Sequence, residues 1–266
     1  YISAYVEQFD HETKIIDLYH FGGGHDDEKQ KTMKASATIS HIIKNDKEFD
    51  VFGEIDKYEP DFIGMYLGTI SYYEGTALAQ QIKQKHPNIP TMVGGPQAIE
   101  LPHTLIEYFD YVVCGEGEHA AIDVIEGRAE KGIVVRDNID NINELPLPDF
   151  RHFIDKPYNW QLEMFDNDIE PVITINSTRG CPFSCMFCGV ANTKFRGIDA
   201  DRLVNYISEL KSNFGAHGIY FREDNFTVQP KRVEAFCDLL MSENMNIKWA
   251  CESRVNNLSS KLIEKM

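Results

Sequence analysis

Short apolar runs alternate with longer amphipathic stretches along the first half of the chain. The apolar runs are bounded by Gly, Pro or charged residues, as strands usually are. They predict strands at residues 13–18, 61–66, 90–93 and 111–114. Helical periodicity or helix-ending residues predict helices over residues 1–9, 32–44, 73–86, 102–108 and 119–127. This alternation is typical of a parallel sheet with helices on both faces.

The alternation stops between residues 143 and 171. The segment Leu145-Pro146-Leu147-Pro148-Asp149 cannot form a helix interior or a central strand, because proline fixes φ and lacks a backbone donor. We therefore expect a first domain of residues 1–130, a linker of residues 131–171 and a second domain of residues 172–266.

Strand and helix alternate again in the second half. Strands are predicted at residues 172–177, 218–221 and 247–250, and helices at 199–213, 230–243 and from about 259. Three β/α units would make the first half of a (β/α) barrel, in which loops at the strand carboxyl ends form the site. Tyr1 is not an initiator Met and the helical pattern continues to Met266, so we expect a segment of a longer protein.

Composition narrows the class of protein. Hydrophobic residues make up 42% of the chain, which is enough for real cores. The formal net charge is −16, and no basic run occurs, so nucleic acid is not an expected partner. The acidity is interpreted as a solvated surface. No apolar run is long enough for a membrane span, and the first residues do not resemble a signal peptide.

Six cysteines occur, at positions 114, 181, 185, 188, 237 and 251. A disulfide framework would spread its cysteines through a small secreted domain. Here three lie within eight residues and three are scattered. The cluster indicates a metal site in a reducing compartment, so we expect a cytoplasmic protein.

The clustered cysteines have the spacing Cys-x3-Cys-x2-Cys, formed by Cys181, Cys185 and Cys188. Three thiolates so close can ligate three irons of a four-iron cluster and leave the fourth iron open to a small molecule. A structural zinc site would need a second pair of ligands, and an electron-transfer cluster a fourth cysteine. Cys237 and Cys251 are single, so an open cluster is favoured over both alternatives.

This segment resembles the radical S-adenosylmethionine (radical SAM) motif Cys-x3-Cys-x-aromatic-Cys, with Phe187 in the aromatic place. The resemblance implies a 4Fe-4S cluster whose open iron is chelated by the amino and carboxylate groups of S-adenosylmethionine. Reduction, by a donor such as flavodoxin or ferredoxin, would then release a 5′-deoxyadenosyl radical. The reactive chemistry would belong to the cofactor, and the protein would position it and exclude water.

Two downstream segments fit the same resemblance. Residues 221–226 are similar to the Asp-Asp-Asn-Phe segment of such families, with Glu223 in the first acidic place. Glu223 is expected to accept from the ammonium or ribose of S-adenosylmethionine, unless it belongs to a surface acidic loop. Arg254 follows the third strand, and its fork suits the methionine carboxylate. The alternative for Arg254 is a surface salt bridge.

Three segments at predicted strand ends stand out in the first half: residues 60–65 with Thr69 following, residues 93–96 and residues 113–118. With these segments the first half resembles the cobalamin-binding domain that precedes many radical SAM domains, a Rossmann-like (flavodoxin-like) fold. Glycines at three successive strand ends would let the backbone approach a large ligand. The resemblance implies these cobalamin contacts: Tyr66, Leu67, Gly68, Thr69, Gly94, Gly95, Pro96, Gly115, Glu116 and Gly117. The family's Ser-x-Leu place is occupied by Tyr66-Leu67-Gly68, which is a departure from its pattern.

Together the two resemblances imply a cobalamin-dependent radical SAM enzyme acting on a small-molecule substrate. Methyl transfer to an unactivated carbon or phosphorus centre is the leading expectation, by way of the 5′-deoxyadenosyl radical and methylcobalamin. One alternative is a radical SAM cyclase or ring-rearranging enzyme with the same cofactors. The non-enzyme alternative is a corrinoid-binding carrier or sensor module. The residues assign no catalytic side chain and no particular substrate.

Overall fold

The computed structural model describes residues 1–18, 50–153, 165–166 and 169–266. The chain divides into two compact units, Tyr1–Ile139 and Asp140–Met266, each built around its own parallel sheet. Within the described ranges, every helix is too short or too polar to cross a membrane.

The first unit contains a four-stranded parallel sheet with the order β1-β2-β3-β4. The strands are β1 (Ile63–Tyr66), β2 (Thr91–Gly94), β3 (Tyr111–Cys114) and β4 (Gly132–Val135). The helices are α1 (Ile2–Glu7), α2 (Val51–Tyr58), α3 (Tyr72–Lys85), α4 (Pro96–Glu100) and α5 (Gly117–Ile125). Because all four strands run in parallel, their carboxyl ends share one edge, where ligands of open α/β sheets bind.

Apolar residues cover both faces of this sheet. Val112 packs in one buried cluster with Val93, Leu105 and residues of α3 and α4. Its neighbours Tyr111 and Val113 point to the other face and pack against α5 and Val134. Successive strand residues point to opposite faces of the sheet. The sequence of a strand that is buried on both faces is therefore a continuous run of apolar residues. The structure therefore confirms the predicted parallel α/β class.

Some predicted elements of the first unit differ from the structure. The strand predicted at residues 13–18 is wrong, since residues 11–17 have no regular secondary structure. Side chains hold this segment instead: Thr13 Oγ1 donates to Glu7 Oε1 at 2.5 Å, and Lys14 pairs with Glu54. The predicted linker, residues 131–171, contains β4, whose apolar run is too short to read as a strand. The helix predicted over residues 32–44 lies outside the described residues.

The second unit contains a three-stranded parallel sheet with the order β5-β8-β9. The strands are β5 (Val172–Ile175), β8 (Gly218–Phe221) and β9 (Lys248–Cys251). A short antiparallel pair joins β6 (Thr178–Arg179) to β7 (Arg196–Gly197). The helices are α6 (Ala200–Phe214), α7 (Pro230–Ser242) and α8 (Ser260–Lys265). These three strands and three helices were predicted, whereas the β6–β7 pair was not.

Aromatic side chains hold the carboxyl end of β8 in place. Phe221 and Phe226 stack with their ring centroids 4.5 Å apart. Phe236 packs edge-on against both rings, and Trp249 packs edge-on against Phe221 and tilted against Phe226. Phe221, Phe226 and Phe236 are completely buried. Such a cluster stabilises by area and by ring geometry, so the strand end between Phe221 and Phe226 is rigidly placed.

Candidate functional site

The three clustered cysteines lie on one closed loop that follows β6. All three are free thiols; Cys181 is buried, while Cys185 and Cys188 are half-buried. The backbone N–H of Cys181 donates to Thr193 Oγ1 at 2.9 Å, and the N–H of Thr193 returns a bond to the Cys181 carbonyl at 3.0 Å. Further along, Asn192 N donates to the Phe183 carbonyl at 2.9 Å. The loop is therefore folded back on its own C-terminal arm.

Gly180 is required at the entrance to this loop, which we call the cysteine loop (residues 180–194). Its φ is +80°, a conformation that residues with a Cβ rarely adopt. A Cβ at this position would lie 2.3 Å from the Lys194 carbonyl oxygen. The close approach of the two arms places Cys181 directly beyond the β6–β7 pair.

Within the described residues, the three thiols of the cysteine loop are not grouped as the ligands of one metal ion would be. Zinc binds sulfur at about 2.3 Å, so sulfurs on one zinc ion lie within about 4 Å of one another. In the described part of the chain, these thiols belong to no group of three His, Cys, Asp or Glu ligand atoms lying within 4.8 Å of one another. The iron–sulfur cluster on Cys181, Cys185 and Cys188 stays a prediction.

Arg254 reaches the cysteine loop from the end of β9. Its guanidinium lies 4.1 Å from the centroid of the Phe183 ring, and its Nη1 donates to Cys185 Sγ at 3.9 Å. Among the described residues, Arg254 contacts this loop and forms no salt bridge with a carboxylate. Its predicted pairing with the methionine carboxylate stays a prediction.

Glu223 lies at the carboxyl end of β8 and is only 4% exposed. One carboxylate oxygen accepts from the backbone N–H of Ser177, and the other accepts from Thr178 Oγ1 at 2.6 Å. Both partners precede the cysteine loop. Glu223 is thus not part of an exposed acidic loop, and its bonds favour a role in positioning that loop. Its predicted contact with S-adenosylmethionine stays a prediction.

Arg232 of α7 completes this buried network, and the sequence reasoning missed it. Its Nη2 donates to Ser177 Oγ at 2.7 Å, and its Nε donates to the Ile198 carbonyl at 2.7 Å. Burial lowers the pKa of Arg232, while the nearby carboxylates of Glu223 and Asp199 oppose that shift. An arginine within a predicted helix is ordinarily expected to be exposed to solvent, so nothing in the sequence predicted this buried role for Arg232. The network joins Ser177, Ile198 and the end of β8.

Two apolar side chains of the cysteine loop face solvent. Phe187 is 93% exposed and Met186 is completely exposed. Neighbouring exposed apolar side chains are a feature of binding sites. Phe187 is therefore accessible to a ligand, as its predicted cofactor contact requires.

At the carboxyl edge of the first sheet, the segments that follow β1 and β2 are bonded to each other. Leu67 N donates to the Gly94 carbonyl at 2.9 Å, and Gln97 N donates to the Leu67 carbonyl at 3.2 Å. Gly95 has a φ of +100°, and a Cβ there would lie 2.7 Å from the Leu67 carbonyl oxygen. A Cβ on Gly94 would have nothing within 4 Å. Gly95 is therefore needed for the local backbone conformation, whereas the space beside Gly94 is open to a ligand.

The predicted cobalamin contacts lie at this edge of the sheet, but their side chains differ in how far they are exposed. Tyr66 is 77% exposed, and Ile70 and Tyr73 are also exposed, which leaves apolar surface suited to a large ligand. The Leu67 side chain is buried in the core, so Leu67 offers a ligand its backbone. Thr69 and Pro96 are exposed, and Gly68 is half-buried.

The segment that follows β3 completes the predicted edge. Gly115 has a φ of +108°, which favours glycine there. Glu116 Oε2 accepts from Ile139 N at 2.9 Å, which fixes the loop. A Cβ on Gly117 would lie 2.9 Å from Ile2 Cδ1, so helix packing explains that glycine. The glycines and open apolar surface along this edge fit cobalamin.

Gly94→Ala and Gly95→Ala are expected to separate binding from folding. Gly94→Ala should weaken binding of added hydroxocobalamin while leaving the denaturation midpoint unchanged, because its methyl group enters open space. Gly95→Ala should destabilise the first unit by about 1–3 kcal/mol, because a positive φ and a close carbonyl oppose a Cβ. Absorbance titration and urea denaturation measure the two effects. Unchanged cobalamin affinity in Gly94→Ala would remove this glycine from the ligand site.

Alkylation of the metal-free protein should distinguish the cysteine loop from the other thiols. Burial raises the pKa of Cys251 to about 12, with Glu223 and Glu252 adding to the shift, and burial also raises the pKa of Cys237. The thiolate is the reactive form, so at pH 8 both should react with iodoacetamide far more slowly than Cys185 and Cys188. Peptide mass spectrometry measures the rates, and labelling in denaturant is the control. Equal labelling of Cys251 and Cys185 would contradict the packing around β9.

The first unit is a parallel α/β sheet with glycines at its carboxyl edge, and the second unit carries a loop with three free thiols. In comparison with known proteins, residues 1–125 match the model of the B12 binding domain. An uncharacterized methyltransferase of Pyrococcus horikoshii is 27% identical, in an alignment that covers 100% of this chain and 56% of that protein.

Two further relatives are more distant. The cobalamin-dependent radical SAM methyltransferase TokK of Streptomyces tokunonensis is 23% identical, over 66% of this chain and 29% of that protein. The anaerobic magnesium-protoporphyrin IX monomethyl ester cyclase of Cereibacter sphaeroides is 23% identical, over 77% of this chain and 37% of that protein. The matches confirm the resemblance to the cobalamin-binding radical SAM superfamily. The chain spans about half the length or less of these relatives.

Proposed function

We propose that this chain carries the cobalamin-binding and cluster-binding parts of a radical SAM enzyme that transfers a methyl group to an unactivated carbon or phosphorus centre. One observation supports the proposal above all others: three free thiols share one closed loop, in a chain whose residues 1–125 match a B12 binding domain. A carrier or sensor module would have no use for the loop. The three parallel β/α units would then be the first half of the radical SAM barrel.

Each cofactor has candidate residues in the chain. Bound together, the cluster, S-adenosylmethionine and cobalamin would supply a 5′-deoxyadenosyl radical and a transferable methyl group. Cys181, Cys185 and Cys188 would hold the cluster, with the base of their loop fixed by Glu223 and Arg232. Gly94, Gly95 and the exposed Tyr66 would receive cobalamin at the edge of the first sheet. The substrate is a small molecule, and a flavodoxin or ferredoxin would supply electrons.

A radical cyclase is the second candidate, because one relative is named as a magnesium-protoporphyrin IX monomethyl ester cyclase. The two reactions differ in how they consume S-adenosylmethionine. Methyl transfer converts one molecule to S-adenosylhomocysteine and cleaves another to 5′-deoxyadenosine. Cyclisation needs the second process without the first.

Anaerobic reconstitution tests the proposed function. The protein, loaded with iron, sulfide and hydroxocobalamin, is incubated with S-adenosylmethionine and a reductant, and the products are separated by liquid chromatography. Formation of both S-adenosylhomocysteine and 5′-deoxyadenosine is expected. 5′-Deoxyadenosine without S-adenosylhomocysteine would favour the cyclase. Neither product, together with cobalamin binding, would favour the carrier module.

A further inference from the structure

The backbone of Arg254 is fixed to the sheet of the second unit. Its carbonyl accepts from Asn257 N at 3.0 Å and from Ser253 Oγ at 3.3 Å. Two residues earlier, the Glu252 carbonyl accepts from Phe226 N at 2.9 Å, which ties this segment to the aromatic cluster. Arg254 thus extends from a rigid strand end.

The middle of the cysteine loop has fewer such restraints. Between Cys181 and Cys188, the Phe183 carbonyl accepts from Asn192 N at 2.9 Å, and the Cys185 carbonyl accepts from Cys188 N at 3.1 Å. Phe187 in the same stretch is exposed. Arg254 contacts this stretch at two points, over the Phe183 ring at 4.1 Å and at Cys185 Sγ at 3.9 Å.

The guanidinium group can make both contacts at once. Its plane stacks on an aromatic face, while its N–H groups at the rim stay free to donate. An arginine guanidinium carries a positive charge. Hydrogen bonds to cluster sulfurs and nearby charge are two of the protein's means of setting a cluster's reduction potential. Reduction adds negative charge, so a cation beside a ligating sulfur favours the reduced form.

We propose that Arg254 is a positioning residue for the iron–sulfur site, in addition to any contact with S-adenosylmethionine. Its stack on Phe183 restrains the cysteine loop, and its charge beside Cys185 raises the reduction potential of the cluster. The inference rests on the proposed function, because it requires the cluster. It concerns contacts that exist before S-adenosylmethionine is added, so its readouts are taken without that molecule.

The test compares Arg254→Gln, Arg254→Lys and Phe183→Leu in the anaerobically reconstituted chain without S-adenosylmethionine. The potential is measured by a redox titration followed by electron paramagnetic resonance, and loop restraint by the rate of iron release to a chelator. Arg254→Gln should lower the potential and speed iron release by about tenfold, the low end for loss of an outer-sphere partner. Arg254→Lys should keep most of the potential but release iron faster. Phe183→Leu should also release iron faster.

Lys248→Gln is the matched control. It removes one positive charge from the start of β9, six residues before Arg254 along the chain, which is at most about 20 Å of extended backbone. Charges at such a separation are screened, because the screening length is about 8–10 Å, so the reduction potential of Lys248→Gln should stay at the wild-type value.

The stacked Arg254 and Phe183 side chains, which we call the clamp, should restrain the loop as one unit. The double variant Arg254→Gln/Phe183→Leu should therefore release iron no faster than the faster of the two single variants.

Wild-type potential and wild-type iron release in Arg254→Gln would overturn the inference, even if its affinity for S-adenosylmethionine fell. Additive effects of the Arg254→Gln and Phe183→Leu changes would overturn the clamp. Failure of the wild-type chain to hold iron is a different result, because it would remove the proposed function and this inference with it.

Discussion

Cys185→Ala is expected to lower the iron content of the reconstituted chain from about four atoms to near background. With two thiolates left on the loop, the cluster loses one of its three protein ligands, and Arg254 loses its sulfur contact. Formation of 5′-deoxyadenosine should fall below detection. Iron and sulfide analysis, with product chromatography, measures both effects.

Cys114→Ala is the matched control for this change. Cys114 is a half-buried free thiol at the end of β3, and its Sγ donates to the Ala98 carbonyl at 3.0 Å. It lies far from the cysteine loop in sequence, so its loss should leave the iron content unchanged. Full iron content in Cys185→Ala, or an equal loss in both variants, would contradict the cluster assignment.

Glu223→Ala is expected to lower the free energy of unfolding by about 2–6 kcal/mol. The change leaves the Ser177 N–H and the Thr178 hydroxyl without their acceptor in a buried place, and each lost partner costs about 1–3 kcal/mol. It also removes one of the two carboxylates near the buried Arg232 guanidinium and leaves only that of Asp199. Chemical denaturation of the metal-free protein measures the loss, and iron retention measures its effect on the loop.

Two further variants separate position from charge. Glu223→Gln keeps one oxygen acceptor and should fall between Glu223→Ala and the wild type. Asp224→Ala changes the exposed neighbouring carboxylate and should shift the unfolding free energy by no more than about 0.5 kcal/mol. A Glu223→Ala protein as stable as Asp224→Ala would show that the buried network does not hold the strand end.

The fold could be predicted largely from the chain because the central strands β3 and β8 are buried on both faces. Runs such as 111–114 and 218–221 are continuously apolar, and the structure forms those strands with the predicted bounds. The run at 13–18 contains three apolar residues among polar ones and is held by side-chain contacts, which a pattern of apolar residues does not encode. β4 was missed because its apolar run is short.

Only the part of the candidate site that is formed by residues close together in sequence could be predicted from the spacing of residues. Cys181, Cys185 and Cys188 are so close in sequence that their spacing alone predicts that the three thiols can bind one cluster. The partners of that loop come from distant elements: Glu223 follows β8, Arg232 lies on α7 and Arg254 follows β9. Their polar contacts depend on tertiary packing, so the sequence predicted two of these residues by resemblance and missed Arg232.

The most direct test of the proposed cluster is the electron paramagnetic resonance spectrum of the reduced, reconstituted chain before and after addition of S-adenosylmethionine. An open iron bound by this molecule predicts a four-iron signal whose shape changes on addition, with Cys185→Ala giving no signal. An iron–sulfur signal that is identical with and without S-adenosylmethionine, or iron-free protein that instead binds zinc, would contradict it.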